Sequence, residues 1–118
     1  MKRLMCMIAA GLMATAGIAQ AQPIGNVEAG REKSQACIAC HGETGASDNT
    51  AFPMLAGQHA DYILYALQAY KSGDRQNAIM NGQAAGLSEK DMRDLAAFYA
   101  AQDPALQTLE RRAANSER

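Results

Sequence analysis

Three side chains that can hold a metal-containing group lie within five residues, because Cys37, Cys40 and His41 form the pattern C-x-x-C-H. Each thiol can add across one vinyl group of a haem, and the two intervening residues let one helical turn present both sulfur atoms. The adjacent imidazole is then free to bind the iron as the proximal ligand. The pattern predicts one covalent c-type haem, attached through Cys37 and Cys40.

The same cysteines could instead form a thioredoxin-like redox pair, half of a zinc site or a structural disulfide. A redox pair would need a βαβ context, and zinc needs four nitrogen or sulfur ligands. Beyond residues 1–21, the only other histidine or cysteine is His59. This shortage of ligands favours haem over zinc, and a disulfide stays open as an alternative.

The sixth position of such an iron decides its function, because an open position binds gases or peroxide and a filled one only passes electrons. Met80 is the preferred candidate, since a glycine-containing loop would let its thioether reach the iron opposite His41. Met92 falls on the apolar face of a predicted helix, where core packing is its expected role. Met54 is expected to pack against the ring or lie at the surface, and His59 to lie at a helix start.

The first 21 residues have the form of a secretory signal, in which Lys2 and Arg3 precede an apolar run over 4–19 and the sequence Ala19-Gln20-Ala21. We expect cleavage after Ala21 and export to the periplasm. The alternative is a retained membrane anchor, although the apolar run is shorter than a full span. Covalent haem would consume two thiols that an oxidising compartment would otherwise join.

Composition describes one small domain with few large apolar side chains. Loss of Lys2 and Arg3 would leave nine basic residues against 12 acidic ones, which does not indicate a nucleic-acid binder. The chain has no Trp, two Phe and four Tyr, which is little for a core near the lower size limit. A buried haem would add a large apolar plate. We expect a domain over 22–102 and a polar C-terminal tail over 103–118.

Three helices are expected to surround the predicted haem, over 27–36, 59–72 and 88–102. The intervening segments 42–57 and 74–87 contain glycine and polar residues and are expected to be loops. The first loop would wrap the ring, and the second would carry the distal methionine. The predicted fold class is therefore all-α, with three to four helices wrapped around one haem.

The expected helix ends are marked by side chains that can bond to free backbone groups. Asn26 is a plausible N-cap for the first helix. Gly73 is expected to end the middle helix. Ser88 and Asp91 begin the last helix in the manner of a capping box.

Two further runs accompany the C-x-x-C-H motif, namely Phe52-Pro53-Met54-Leu55-Ala56-Gly57-Gln58 and Leu95-Ala96-Ala97-Phe98-Tyr99. Together they resemble class I cytochromes c of the single-domain cytochrome c4 type, also described as cytochrome c553 or c5 types. The resemblance covers roughly 27–102. It implies a class I cytochrome c fold.

The resemblance also implies roles for particular residues. The carbonyl of Pro53 would accept a hydrogen bond from Nδ1–H of His41 and so orient the proximal ligand. Met80 would be the distal ligand. Arg75, which precedes the methionine, would lie near a haem propionate.

Two further implications concern the architecture. Gly30 and Tyr99 would lie at the contact between the first and last helices. Cytochromes c4 usually have two domains and two haems, whereas this sequence has one C-x-x-C-H motif and room for one domain.

These expectations lead to a periplasmic one-electron carrier with a six-coordinate His/Met haem, which is not itself an enzyme. Its redox partners would be a quinol-oxidising complex and a terminal oxidase or reductase, with transfer at the haem edge beside Cys37 and Cys40. An alternative is the haem subunit of a periplasmic dehydrogenase or sulfur-oxidising complex, with 103–118 as a docking segment. A third possibility is a gas or peroxide binder with an open iron.

Overall fold

The computed structural model describes residues 23–106, which contain five α-helices and no β-strand. The helices are α1 (Val27–Lys33), α2 (Gln35–His41), α3 (Ala60–Ser72), α4 (Ala78–Ala85) and α5 (Glu89–Ala100). The predicted all-α class is confirmed, but there are more helices than the three to four expected. The predicted signal segment 1–21 and the part of the predicted tail over 107–118 lie outside the described residues.

The expected helix over 27–36 is wrong in its length, because the chain turns at Ser34 and starts a second helix. The Oγ of Ser34 donates to the carbonyl of Arg31 at 2.8 Å, which ends α1 with a side-chain bond. The backbone N–H of Cys37 then donates to the carbonyl of Ser34 at 2.7 Å. As a result, the whole C-x-x-C-H motif lies on α2.

The expected loop over 74–87 is also wrong, since it contains α4. Asn77 caps this helix, and its Oδ1 accepts from the N–H groups of Ile79 at 3.1 Å and Met80 at 3.0 Å. Gly82 and Gly86 favoured a loop in the sequence, but one glycine inside a helix costs only about 1 kcal/mol. The cap and the packing of α4 on α3 outweigh that cost.

The other predicted helix ends are confirmed. Asn26 accepts from the N–H of Ala29 at 2.8 Å. Gly73 ends α3 in the left-handed conformation. Ser88 and Asp91 form the expected capping box at the start of α5.

Helix α5 is the centre of the core and packs against both α1 and α3. At the first contact, a Cβ on Gly30 would lie 2.1 Å from the carbonyl oxygen of Asp94 and 2.7 Å from Cβ of Phe98. Only glycine allows α1 to approach so closely. Tyr99, also expected at this contact, has its hydroxyl near Ser34 at the end of α1 and its ring against Gly45 in the connection between α2 and α3.

A buried carboxylate, Asp94, joins the two ends of the described chain. Its Oδ1 accepts from the N–H of Asn26 at 2.9 Å, and its Oδ2 accepts from Nζ of Lys33 at 2.6 Å and of Lys90 at 2.7 Å. The bond from Lys33, followed by those from Lys90 and Asn26, holds the pKa of Asp94 well below its usual range.

Within residues 23–106, no helix is long and apolar enough to span a bilayer.

Candidate haem site

The predicted attachment residues lie near the end of α2. Cys37 and Cys40 are three residues apart on one helix, so their thiols lie on the same face. Both are half-buried, and burial raises the pKa of the Cys37 thiol. His41 is buried and is the last residue of the helix, where Gly42 turns the chain with φ +81°.

Two cavities, of about 220 and 140 Å³, adjoin this face of α2. Both are bordered by Cys37, His41, Pro53, Tyr70 and Met80. Their walls are mostly apolar and come from α2, α3, α4, α5 and the connection between α2 and α3. An apolar space with two thiols at one edge and an imidazole and a thioether on its border fits a covalently attached haem.

All six predicted site residues border these cavities. Cys37, His41, Pro53 and Met80 border both, Cys40 borders the smaller one, and Arg75 borders the larger one. The set was predicted from the motif and from the resemblance, and folding brings it together from α2, α4 and two connections.

A backbone carbonyl orients the imidazole of His41. Its Nδ1 lies 3.0 Å from the carbonyl oxygen of Pro53. Because a carbonyl can only accept, Nδ1 is the donor in this bond, and Nε2 is the ring nitrogen that remains available to a metal. The edge of the Phe52 ring packs against the imidazole, with centroids 6.1 Å apart.

The connection between α2 and α3 holds Pro53 in place through backbone bonds. The carbonyl of Gly45 accepts from the N–H groups of Leu55 at 2.7 Å and Ala56 at 3.2 Å. The N–H of Gly57 donates to the carbonyl of Tyr99 at 2.9 Å, which ties the connection to α5. The carbonyl that meets His41 therefore belongs to a fixed segment.

The four candidates for the distal position lie in different surroundings. Met80 is half-buried in the first turn of α4, rather than in the expected loop, and borders both cavities. Met54 is half-buried and borders only the larger cavity. Met92 is buried in the core, as predicted. His59 is exposed at the start of α3, beside a shallow surface hollow.

Arg75 contacts two tyrosines at the border of the larger cavity. Its guanidinium carbon lies 4.8 Å from the ring centroid of Tyr70, and one of its terminal nitrogens donates to the hydroxyl of Tyr62 at 3.4 Å. These contacts keep a positive charge beside an otherwise apolar space.

Sequence reasoning missed the hydroxyl of Tyr99. The side chain is 2% exposed, and its hydroxyl lies beside Cys37 and Ser34 but makes no hydrogen bond of good geometry within residues 23–106. Burial, followed by the neighbouring Cys37, raises the pKa of Tyr99. The helical spacing of α5 indicated only an apolar position there. The only signal of a polar contact was the residue type, because a buried phenol usually has a hydrogen-bond partner.

The comparisons with known proteins agree with this geometry. The sequence model of the cytochrome c family matches residues 27–102. Cytochrome c-554(548) of Halomonas halodenitrificans is 39% identical over 82 residues, which cover 67% of this chain and 99% of that protein. The solved structure of reduced cytochrome c4 from Pseudomonas stutzeri has a TM-score of 0.64 and 39% identity, with 67% of this chain and 46% of that one covered.

A third similarity is to the solved structure of thiosulfate dehydrogenase from Marichromatium purpuratum, with a TM-score of 0.66 and 33% identity. It covers 78% of this chain and 22% of that one. The chain thus spans nearly the whole of the Halomonas cytochrome and about half of cytochrome c4. On the family match and these similarities, the chain belongs to the cytochrome c family and is an electron carrier, with haem c bound covalently through its cysteine pair.

Proposed function

We propose that this cytochrome c is a periplasmic one-electron carrier with His41 and Met80 as the two axial ligands of its iron. It would shuttle electrons between a quinol-oxidising complex and a terminal oxidase or reductase. The observation that carries the proposal is that both side chains border the same two cavities, next to the attachment cysteines. With both positions filled, the haem supplies reversible one-electron chemistry and no site for a substrate.

The proximal role of His41 is supported by its hydrogen bond. The carbonyl of Pro53 fixes the tautomer and the orientation of the imidazole, and leaves Nε2 as the nitrogen that can bind the iron. A ligand that keeps its orientation in both oxidation states keeps the reorganisation on electron transfer small.

The distal role of Met80 is supported by its place on a capped helix. The side chain of Asn77 accepts a hydrogen bond from the backbone N–H of Met80, which restricts the position of the Met80 backbone. A thioether is a soft, uncharged ligand that favours ferrous iron. It raises the reduction potential relative to a second histidine.

Arg75 is proposed to interact with a haem propionate. Its contacts with Tyr62 and Tyr70 hold the guanidinium at the cavity border. An anionic group that is partly withdrawn from water needs such a partner.

The compartment and the domain limits are also proposals. Residues 1–21 would direct export, 22–102 would form the cytochrome domain, and 103–118 would be a tail. The family match over 27–102 falls within the proposed domain. Electrons would pass at the edge of the ring near Cys37 and Cys40, through small and weakly held interfaces with partner proteins.

A second candidate function is that of a haem subunit in a periplasmic dehydrogenase or sulfur-oxidising complex. The similarity to part of thiosulfate dehydrogenase favours it. Purification from the native source distinguishes the two. A free carrier elutes alone and its haem is oxidised rapidly by respiratory membranes, whereas a subunit elutes with a stoichiometric partner at moderate salt.

The ligand assignment is tested with Met80→Ala, and Met54→Ala is the matched control. We expect Met80→Ala to abolish the far-red sulfur-to-iron absorption band of the ferric protein. The ferrous variant should then bind carbon monoxide. Met54→Ala should keep the band, since Met54 borders only one cavity. A band that survives Met80→Ala, or one that disappears in Met54→Ala alone, would contradict the assignment.

A further inference from the structure

One side-chain amide, that of Asn81, holds the connection between α3 and α4. Its Nδ2 donates to the carbonyl of Tyr70 at 2.6 Å and to the carbonyl of Arg75 at 2.9 Å. Its Oδ1 accepts from the backbone N–H of Asn77 at 2.7 Å. A single planar group thus bonds to the last turn of α3, to the connection and to the residue that caps α4.

The bond from Asn81 to Tyr70 supplies a donor to a carbonyl at the end of a helix. The last carbonyls of a helix have no donor from their own helix. Helix α3 ends at Ser72, and the carbonyl of Tyr70 lies in its last turn. The amide of Asn81 supplies the missing donor from another helix, and so fastens the start of α4 to the end of α3.

The bonds continue from Asn81 to Met80 through Asn77. Asn81 fixes the backbone of Asn77, and the side chain of Asn77 accepts from the N–H of Met80 at 3.0 Å. Asn81 is also the next residue after Met80 on the same helical turn and is itself half-buried. The position of the Met80 backbone therefore depends on the amide of Asn81.

We infer that Asn81 is a positioning residue for Met80, which holds the backbone of the distal thioether while bordering neither cavity itself. The inference rests on the proposed function, in which Met80 binds the iron. A methionine side chain has three rotatable bonds, so the side chain alone fixes its sulfur poorly. A fixed backbone reduces the rate at which the thioether leaves the iron, as rigid support does for any ligand.

The same amide links a second proposed haem contact. Because Asn81 also binds the carbonyl of Arg75, the backbones of Arg75 and Met80 are held by one group. No other uncharged side chain of this length offers two donors and an acceptor in one plane. Aspartate keeps the acceptor and loses both donors, and alanine loses all three bonds.

The test uses the holoprotein and follows the binding of imidazole to ferric iron, which requires Met80 to leave. We expect Asn81→Asp and Asn81→Ala to accelerate imidazole binding about fivefold to tenfold, the factor set by one or two ordinary net hydrogen bonds. Gln76→Ala is the control, because this exposed amide in the same connection donates to the carbonyl of Gly73. The Gln76→Ala variant should bind imidazole at the wild-type rate.

Two outcomes separate this inference from the ligand assignment. If Met80→Ala removes the far-red band but both Asn81 variants bind imidazole at the wild-type rate, Asn81 has only a structural role and the inference is wrong. The inference is then wrong even if the variants unfold more easily. If Met80→Ala keeps the band, the assignment of Met80 fails and the inference fails with it. If Asn81→Ala does not fold, the milder Asn81→Asp decides the question.

Discussion

Helix α5 meets the rest of the protein differently on its two sides. Towards α1, protein atoms touch directly, with the backbone at Gly30 against Asp94 and an ion pair between the buried Asp94 and the half-buried Lys33. Towards α2 and α3, the helix also packs directly on α3, but Leu95 and Tyr99 border a cavity of about 220 Å³. A void of this size is far above the water-sized gaps that protein interiors usually contain.

The difference shows that the two halves of the core depend on different partners. The contact between α1 and α5 is complete with amino acids alone. The contact between α5 and the haem site needs the ring to fill it, which agrees with a sequence that has no Trp and two Phe. The covalent haem is therefore part of the core as well as the redox centre, and disturbing the two sides of α5 should have distinct effects.

The largest effect is expected on the haem side. Cys37→Ala combined with Cys40→Ala should prevent covalent attachment and cost about 5 kcal/mol or more, which approaches the whole stability of a small domain. The fall should be visible as lost helical circular dichroism and lost haem staining after denaturing electrophoresis. Cys40→Ala alone, with one thioether left, should be intermediate. This expectation is contradicted if the haem-free variant unfolds cooperatively with its midpoint at the same denaturant concentration as the wild-type holoprotein.

A smaller loss is expected when the other side is disturbed. Gly30→Ala places a methyl group 2.1 Å from the backbone oxygen of Asp94, so the helices must separate. We expect a cost of about 3 kcal/mol, the upper end for overpacking. Denaturant titration of the holoprotein measures it.

The matched control is Gly82→Ala, in the interior of α4. A Cβ there meets nothing within 4 Å, so the substitution should stabilise the protein by up to about 1 kcal/mol through helix propensity. Equal effects at the two glycines would mean that the close approach of α1 to α5 does not matter.

The smallest effect concerns the charge at that contact. The pKa of Asp94 is lowered by Lys33, Lys90 and Asn26, so the folded state binds its proton less readily than the unfolded state does. Its contribution is therefore complete above the unfolded pKa of about 3.9 and is lost as the pH falls towards the folded value. Asp94→Asn should cost about 2 kcal/mol at pH 7, and about 1 kcal/mol less than that at pH 3.

The control for this prediction is Glu89→Gln, which removes an exposed ion pair with Arg93 on the same helix. Such pairs contribute about 0.5 kcal/mol at most. The unfolding free energies of both variants between pH 7 and pH 3 give the comparison. An Asp94→Asn difference that stays constant over this range would show that the carboxylate is not what stabilises the contact.

The sequence was sufficient where the determining residues are near one another. The five residues of the C-x-x-C-H motif indicated the cofactor, and the caps Asn26 and Ser88 indicated where two helices begin. Each of these signals needs only a few consecutive positions. The all-α class follows from them.

The sequence was insufficient where the partners are far apart. Asp94 has the pattern of a surface charge on a helix, and it is buried because Lys33, 61 residues earlier, folds against it. Helix α4 was missed because its glycines are typical of loops and its packing on α3 is not visible in the sequence. The bond from Asn81 to Tyr70, 11 residues away, is visible only in three dimensions.

The hydrogen bond between His41 and Pro53 has a consequence for how this protein can evolve. Its acceptor is a main-chain oxygen, which every amino acid at position 53 would provide. No single base change that replaces one amino acid with another can delete that atom. Selection can therefore alter the side chains around the histidine, and with them the redox properties, while the acceptor atom is always present.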